Sequence, residues 1–168
     1  MPFTPFHFGP GLAIKGLIPN QFSLSTFILA NVAMDVEPLY RLWQVQTPVH
    51  GFSHTLAGAL VIGATAAMLG RGASRLAQSA DQYQVNDTGE RFGITRLQAW
   101  TGALLGTGSH LLLDAVMHRD MRPFFPLTGA NPLLIPEWML PLHLACILAG
   151  MLGLAVLLAR AAWRELAA

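Results

Sequence analysis

The run His110-Leu111-Leu112-Leu113-Asp114-Ala115-Val116-Met117-His118 places two imidazoles and a carboxylate at i, i+4 and i+8 inside otherwise membrane-grade sequence. Four residues make roughly one helical turn, so the three polar groups share one face of a helix. A charged side chain at the centre of an inserted helix costs about 2.5–3.5 kcal/mol and is rarely left there without a partner or a task. Nitrogen and oxygen donors stacked along one stripe suit a divalent metal of hard to borderline character. An integral membrane protein built around a metal site is therefore expected.

Composition agrees. Of 168 residues 53% are hydrophobic and only 11% charged, against roughly 25% charged in soluble domains, so a single membrane-embedded domain over residues 1–168 is expected. A formal net charge of +1 leaves no basic surplus to neutralise phosphates, and no nucleic-acid partner is expected. Cys146 is the lone cysteine, which provides neither a disulfide framework nor a cysteine metal cluster. Met1 to Phe8 carries no Lys or Arg and the early prolines interrupt any apolar helix, so insertion is expected through internal helices rather than a signal peptide.

Periodicity and breakers predict helices over about Pro10–Leu17, Ser23–Met34, Pro48–Leu69, Ile94–His118 and Glu137–Trp163. The expected fold class is all-α, an integral membrane bundle of about five helices. The first two are shorter than the ~20 residues that cross a bilayer and are expected to form a re-entrant or tilted hairpin buried by the rest. The third ends at Gly70-Arg71-Gly72, and a polar loop occupies about 70–93. Between the last two helices, Arg122-Pro123-Phe124-Phe125-Pro126 and Asn131-Pro132 hold too many prolines to be helical. Gly102-Ala103-Leu104-Leu105-Gly106 offers the small residues that let helices approach closely in lipid. Arg71, Arg75, Arg91, Arg96, Arg160 and Arg164 mark one side as cytoplasmic, against Lys15, Arg41, Arg119 and Arg122 elsewhere. The polar donors are then expected toward the external face.

His50-Gly51-Phe52-Ser53-His54 adds two histidines at i, i+4 where the third helix is expected to start. That spacing serves two ligands of one metal, or adjacent ligands of a pair. Asp35 and Glu37 follow the second helix in a turn closed by Pro38, where the helix dipole opposes negative charge unless a cation is bound. Asp35 is accordingly a candidate ligand, whereas Glu37 fits ligand, general base or surface charge equally well. His7, between Phe6 and Phe8, reads by itself as a structural histidine, and His143 as structural or supporting. Asn31 lies one turn before Asp35 and is expected to orient it. Phe3, Phe6, Phe8, Phe124 and Phe125 are expected to anchor at the membrane interface. The donors exceed what one four-coordinate ion uses, so two or more ions are expected. Such ions lower the pKa of bound water from 15.7 to about 7 and clamp phosphoryl oxygens, and no serine triad, phosphate-cradling glycine loop or cysteine pair competes.

Met1-Pro2-Phe3-Thr4-Pro5-Phe6-His7-Phe8-Gly9-Pro10-Gly11, the Asp35-Val36-Glu37-Pro38 segment, Pro48-Val49-His50-Gly51-Phe52-Ser53-His54-Thr55-Leu56 and the His110–His118 run resemble the bacterial family of membrane-bound, metal-dependent hydrolases that includes YdjM. The resemblance runs over nearly the whole chain and implies a helical inner-membrane protein with hydrolase activity. The order of donors is also similar to that of the zinc-dependent phospholipase C and nuclease P1 group. By that likeness His7, Asp35, His54, His110, Asp114 and His118 are metal ligands, with His50 an additional candidate. Three departures stand out. Glu37 occupies a place where many members carry Asp. Gly51 occupies one where many carry Arg, leaving Arg41, Arg119 or Arg122 to supply a phosphate-binding cation. The His-xxx-Glu pair that closes the phospholipase pattern is absent after His118.

The expected activity is hydrolysis of a phosphoester or phospholipid-type substrate by water activated on zinc, or on manganese. Glu37 is the candidate proton acceptor, and membrane lipid or a small molecule the partner. The competing expectation is a non-enzymatic membrane protein that binds or transports divalent metal; a third is a structural metal staple.

Overall fold

The computed structural model describes residues 5–80 and 93–167. Among them lie five α-helices, α1 (Phe8–Leu17), α2 (Leu24–Trp43), α3 (Leu56–Ala80), α4 (Arg96–Met117) and α5 (Met139–Ala167), and no strand. Short 3-10 turns at Pro5–His7, Phe52–His54 and Pro136–Trp138 precede α1, α3 and α5. Helix starts have local causes. The Ser23 hydroxyl accepts from the Thr26 amide at the head of α2, and Thr95 with Gln98 forms a reciprocal capping box on α4.

Three boundaries differ from the sequence expectation. α2 does not stop at Asp35 but runs through Pro38 to Trp43. An interior proline costs about 3 kcal/mol, but the Pro38 ring is fully buried and the Glu37–Arg41 ion pair bridges the turn that contains it. Asp35 and Glu37 thus sit inside a helix, and the helix-end argument for a cation at Asp35 does not apply. With 20 residues, α2 is about 30 Å long, so only α1 remains short. α3 starts at Leu56 rather than Pro48, leaving His50 and His54 ahead of it. α3 also continues past Gly70 and Gly72 to Ala80. A Cβ on Gly70 would lie 2.9 Å from Thr26 Oγ1, so this glycine admits α2 rather than ending a helix. Of the expected polar loop, residues 70–80 are helical, whereas 81–92 lie outside the described residues.

α2, α3 and α4 pack on one another, and α1 packs chiefly against α5. The Gly102–Gly106 pair lies at the α2–α4 contact as expected: a Cβ on Gly102 would stand 2.4 Å from the Ser23 carbonyl oxygen, and one on Gly106 2.9 Å from that of Phe27. The core between these helices is built from small residues, Ala30, Ala66, Ala67, Ala99 and Ala103. Backbones held this close gain dispersion contacts that lipid cannot replace.

α3, and α5 together with the 3-10 turn before it, supply segments long and apolar enough to cross a membrane, Leu56–Ala77 and Pro136–Ala167. Only 28% and 17% of their most apolar windows are buried, which sets them apart from the core helices of a soluble protein. Leu140, Leu144, Leu148 and Leu152 line the outside of α5. The helices alternate in direction. At one end Leu56 N–H donates to Pro123 O and Ile135 N–H to Val116 O; at the other, Ser23 N–H donates to Gln98 O and Ile94 N–H to Ser74 Oγ. Lys15 donates to the carbonyls of Pro19 and Phe22, which places it at the end that carries Arg71, Arg75, Arg96, Arg160 and Arg164. The sequence had set it on the other side of the count, so the described charges are more asymmetric than expected.

Candidate metal centre

At the opposite end, four elements deliver side chains to one buried point. α2 contributes Asp35, the segment before α3 His50 and His54, α4 His110 and Asp114 with His118 just past its end, and the turn before α1 His7. His54 and His110 are fully buried, and His7, Asp35, His50 and Asp114 are at most 7% exposed.

Asp114 is the hub. Its Oδ2 lies 3.2 Å from Nε2 of both His54 and His110 and 4.0 Å from Nε2 of His50. Its Oδ1 lies 3.3 Å from Nε2 of His7 and 3.6 Å from Nε2 of His118. Asp35 Oδ1 approaches His110 Nε2 at 3.3 Å, and the Nε2 atoms of His54 and His110 face each other at 3.2 Å. A tetrahedral ion with bonds of 2.0–2.1 Å holds neighbouring donors about 3.3 Å apart, so these separations fit the edges of a coordination shell. The donors form two groups, Asp35, His54, His110 and Asp114, and His50, Asp114 and His118, each with ligand atoms within 4.8 Å of one another. Asp114 belongs to both.

Outer contacts fix the direction of the rings. Asn31 donates through Nδ2 to the Phe27 carbonyl, so its Oδ1 faces His110 Nδ1 at 3.1 Å and accepts from it. Neutral His110 then presents its Nε2 lone pair to Asp35 and Asp114. Asn31 was expected to steer Asp35; the α2–α4 contact gives it His110 instead. His50 Nδ1 lies 2.8 Å from Asp120 Oδ1, while Asp120 Oδ2 accepts from the amides of Val49 and His50. Burial of Asp120 acts to raise its carboxyl pKa, but the His50 amide, ring and charge outweigh this and hold it below the usual carboxylate range. Ser53 Oγ lies 2.9 Å from His54 Nδ1. Bonds of this kind orient ligating imidazoles and raise their basicity. Two buried atoms, His7 Nδ1 and Asp114 Oδ1, have no hydrogen-bond partner among the described residues. The second is part of the hub itself, where a missing partner is costly unless a cation fills it.

Other candidates lie elsewhere. Glu37 does not face the donors: its Oε1 accepts from Arg41 Nε and the Phe52 amide and its Oε2 from the Ser53 amide, tying α2 to the turn that carries His54. His143 Nδ1 lies 2.6 Å from the Met139 carbonyl, and its ring meets the edge of Phe6. Asp120 escaped the sequence reading. The available signal was an acid two residues beyond His118, but its partner is 70 residues away.

A model of the YdjM inner membrane protein family matches residues 11–167. The chain belongs to that family. The matched span contains every donor of the cluster except His7. In this YdjM-family protein the family match and the two candidate spans together establish a membrane location. No curated protein and no solved structure matches the chain.

Proposed function

We propose that this protein is a multi-pass inner-membrane hydrolase that uses divalent metal, zinc or manganese, against a phosphoester or phospholipid-type substrate. The observation that carries the reading is one buried carboxylate, Asp114, shared by two donor groups, with an oxygen that meets the His7 and His118 rings yet makes no hydrogen bond among the described residues. Asp35, His54 and His110 with Asp114 would hold one ion, and His50 and His118 with Asp114 another; His7, 3.3 Å from Asp114 Oδ1, would offer a further donor. When bound, such ions lower the pKa of water toward 7 and polarise a phosphoryl oxygen. The chain itself holds imidazole lone pairs inward through Asn31 and Asp120 and keeps lipid out by burying the cluster.

Glu37 acts in this reading as a positioning residue, with its carboxylate committed to the turn before α3. The donors are gathered at one end of the bundle, which favours a fixed site over a transport path through its depth. The opposite end carries the cationic excess, so the positive-inside tendency directs the cluster to the external face.

Two measurements test the proposal. Element analysis of the purified chain should find more than one metal per chain, falling sharply in Asp114→Asn. The metal-loaded protein should hydrolyse at least one member of a phosphodiester and phospholipid panel. Metal-free protein, or loaded protein inert across the panel over a wide pH range, refutes it.

A further inference from the structure

A cavity of about 280 Å³ lies beside the donor cluster, with Arg41, His50, Gly51, Thr55, Arg122 and Phe125 in its wall. His50 belongs to both places: it lines the cavity while its Nε2 stands 4.0 Å from Asp114 Oδ2. The lining contains two guanidinium groups and no carboxylate. Arg41 spends Nε on Glu37 and reaches the Pro48 carbonyl through Nη1, and its Nη2 donors make no hydrogen bond among the described residues. Arg122 makes no side-chain hydrogen bond or ion pair among the described residues. Glu37 offsets one of the two charges, and among the described residues no ion pair offsets the other.

Gly51 keeps this arrangement open. A Cβ there would fall 1.9 Å from Glu37 Oε1 and 2.7 Å from both Arg41 Nε and Nη2. A side chain at this position would displace the guanidinium from the wall. The cavity edge is apolar and turned outward, with Phe52 57% and Phe125 52% exposed, on a bundle whose outer surface already suits lipid.

The geometry points to an anion subsite in which Arg41 and Arg122 clamp the phosphate of a phosphoester beside the metal cluster. Planar guanidinium forks match phosphate oxygens in pairs. The volume sits just under the range of about 300–1,000 Å³ typical of drug-sized ligands, so it admits a head group and leaves acyl chains outside against Phe52 and Phe125. This assignment rests on the phosphoester reading above and names the groups that recognise its substrate.

The test uses the full chain in neutral detergent, metal-loaded and metal-stripped, with inorganic phosphate and dihexanoyl phosphatidylglycerol as separate probes followed by calorimetry. Wild type should bind at least one probe in both metal states. Arg122→Gln should weaken that binding about tenfold, Arg122→Lys should weaken it less, and both should match wild type in metal content and thermal unfolding because the Arg122 side chain makes no hydrogen bond or ion pair among the described residues. Binding of inorganic phosphate supports the subsite with a free phosphate as its ligand; binding of the lipid alone supports it with a phospholipid head group. Equal affinity in wild type and Arg122→Gln, or no binding of either probe to wild type, overturns it. A protein without metal would refute the hydrolase reading, yet the arginine-dependent binding to stripped protein would still be measurable.

Discussion

Replacing Asp120 by Asn separates the two donor groups. Asp120 uses both oxygens: Oδ2 accepts from the Val49 and His50 amides at 2.9 and 3.1 Å, and Oδ1 from His50 Nδ1 at 2.8 Å. Asparagine has one oxygen. If it stays with the two backbone amides, its NH2 faces the ring, His50 Nδ1 must become the acceptor, and the proton moves to Nε2. The atom aimed at Asp114 then lacks a lone pair. Losing an outer partner of this kind lowers metal affinity about 10- to 100-fold, or about 1.4–2.8 kcal/mol. Because the Asp120 side chain is 35% exposed, water replaces part of what is lost, and the lower end of that range is expected. Zinc titration against a competing chelator should show one binding step weakened about tenfold while the step of the Asp35, His54 and His110 group stays within about twofold. His50→Ala should weaken the same step, and the double variant should add little to it, because both changes remove one ligand. A uniform weakening of both steps, or no change in either, would falsify the division into two groups that share Asp114.

The mirror experiment is Asn31→Leu, which removes the acceptor of His110 Nδ1; zinc titration should now show the four-donor step weakened about 10- to 100-fold with the His50 step retained. Gly51→Ala drives a methyl into Glu37 and Arg41 and should destabilise the fold by about 1–3 kcal/mol, read as a lowered midpoint of thermal unfolding in detergent; an unchanged midpoint would show that the pair gives way freely. Glu37→Ala removes the acceptor of the Phe52 and Ser53 amides and should cost about 1–3 kcal/mol, with Glu37→Gln costing less. A Glu37→Gln variant of wild-type stability but without hydrolysis would restore the proton-accepting role. Chelation should lower the unfolding midpoint, since an ion present at a hundred times its dissociation constant stabilises the folded state by about 2.7 kcal/mol; equal midpoints with and without chelator would speak against a buried site.

Much of the architecture is written along the chain itself. Apolar runs bounded by prolines and polar turns dictate an all-helical membrane bundle, because a backbone in lipid must satisfy its own hydrogen bonds within each segment. Gly102 and Gly106 announced a close helix contact, and i, i+4 spacing put His110 and Asp114 on one face. These are local properties, set within a turn or two of helix. What tertiary structure alone decided is how distant pieces meet. His50 and His54 share no helix, and Glu37 and Asp120 place them through backbone amides. Pro38 looked like a helix end, yet α2 carries on because that ring is buried in the packed bundle. Asn31 turned to His110 rather than Asp35. Each outcome depends on a partner far along the chain, and local spacing carries no record of which strangers packing will make into neighbours.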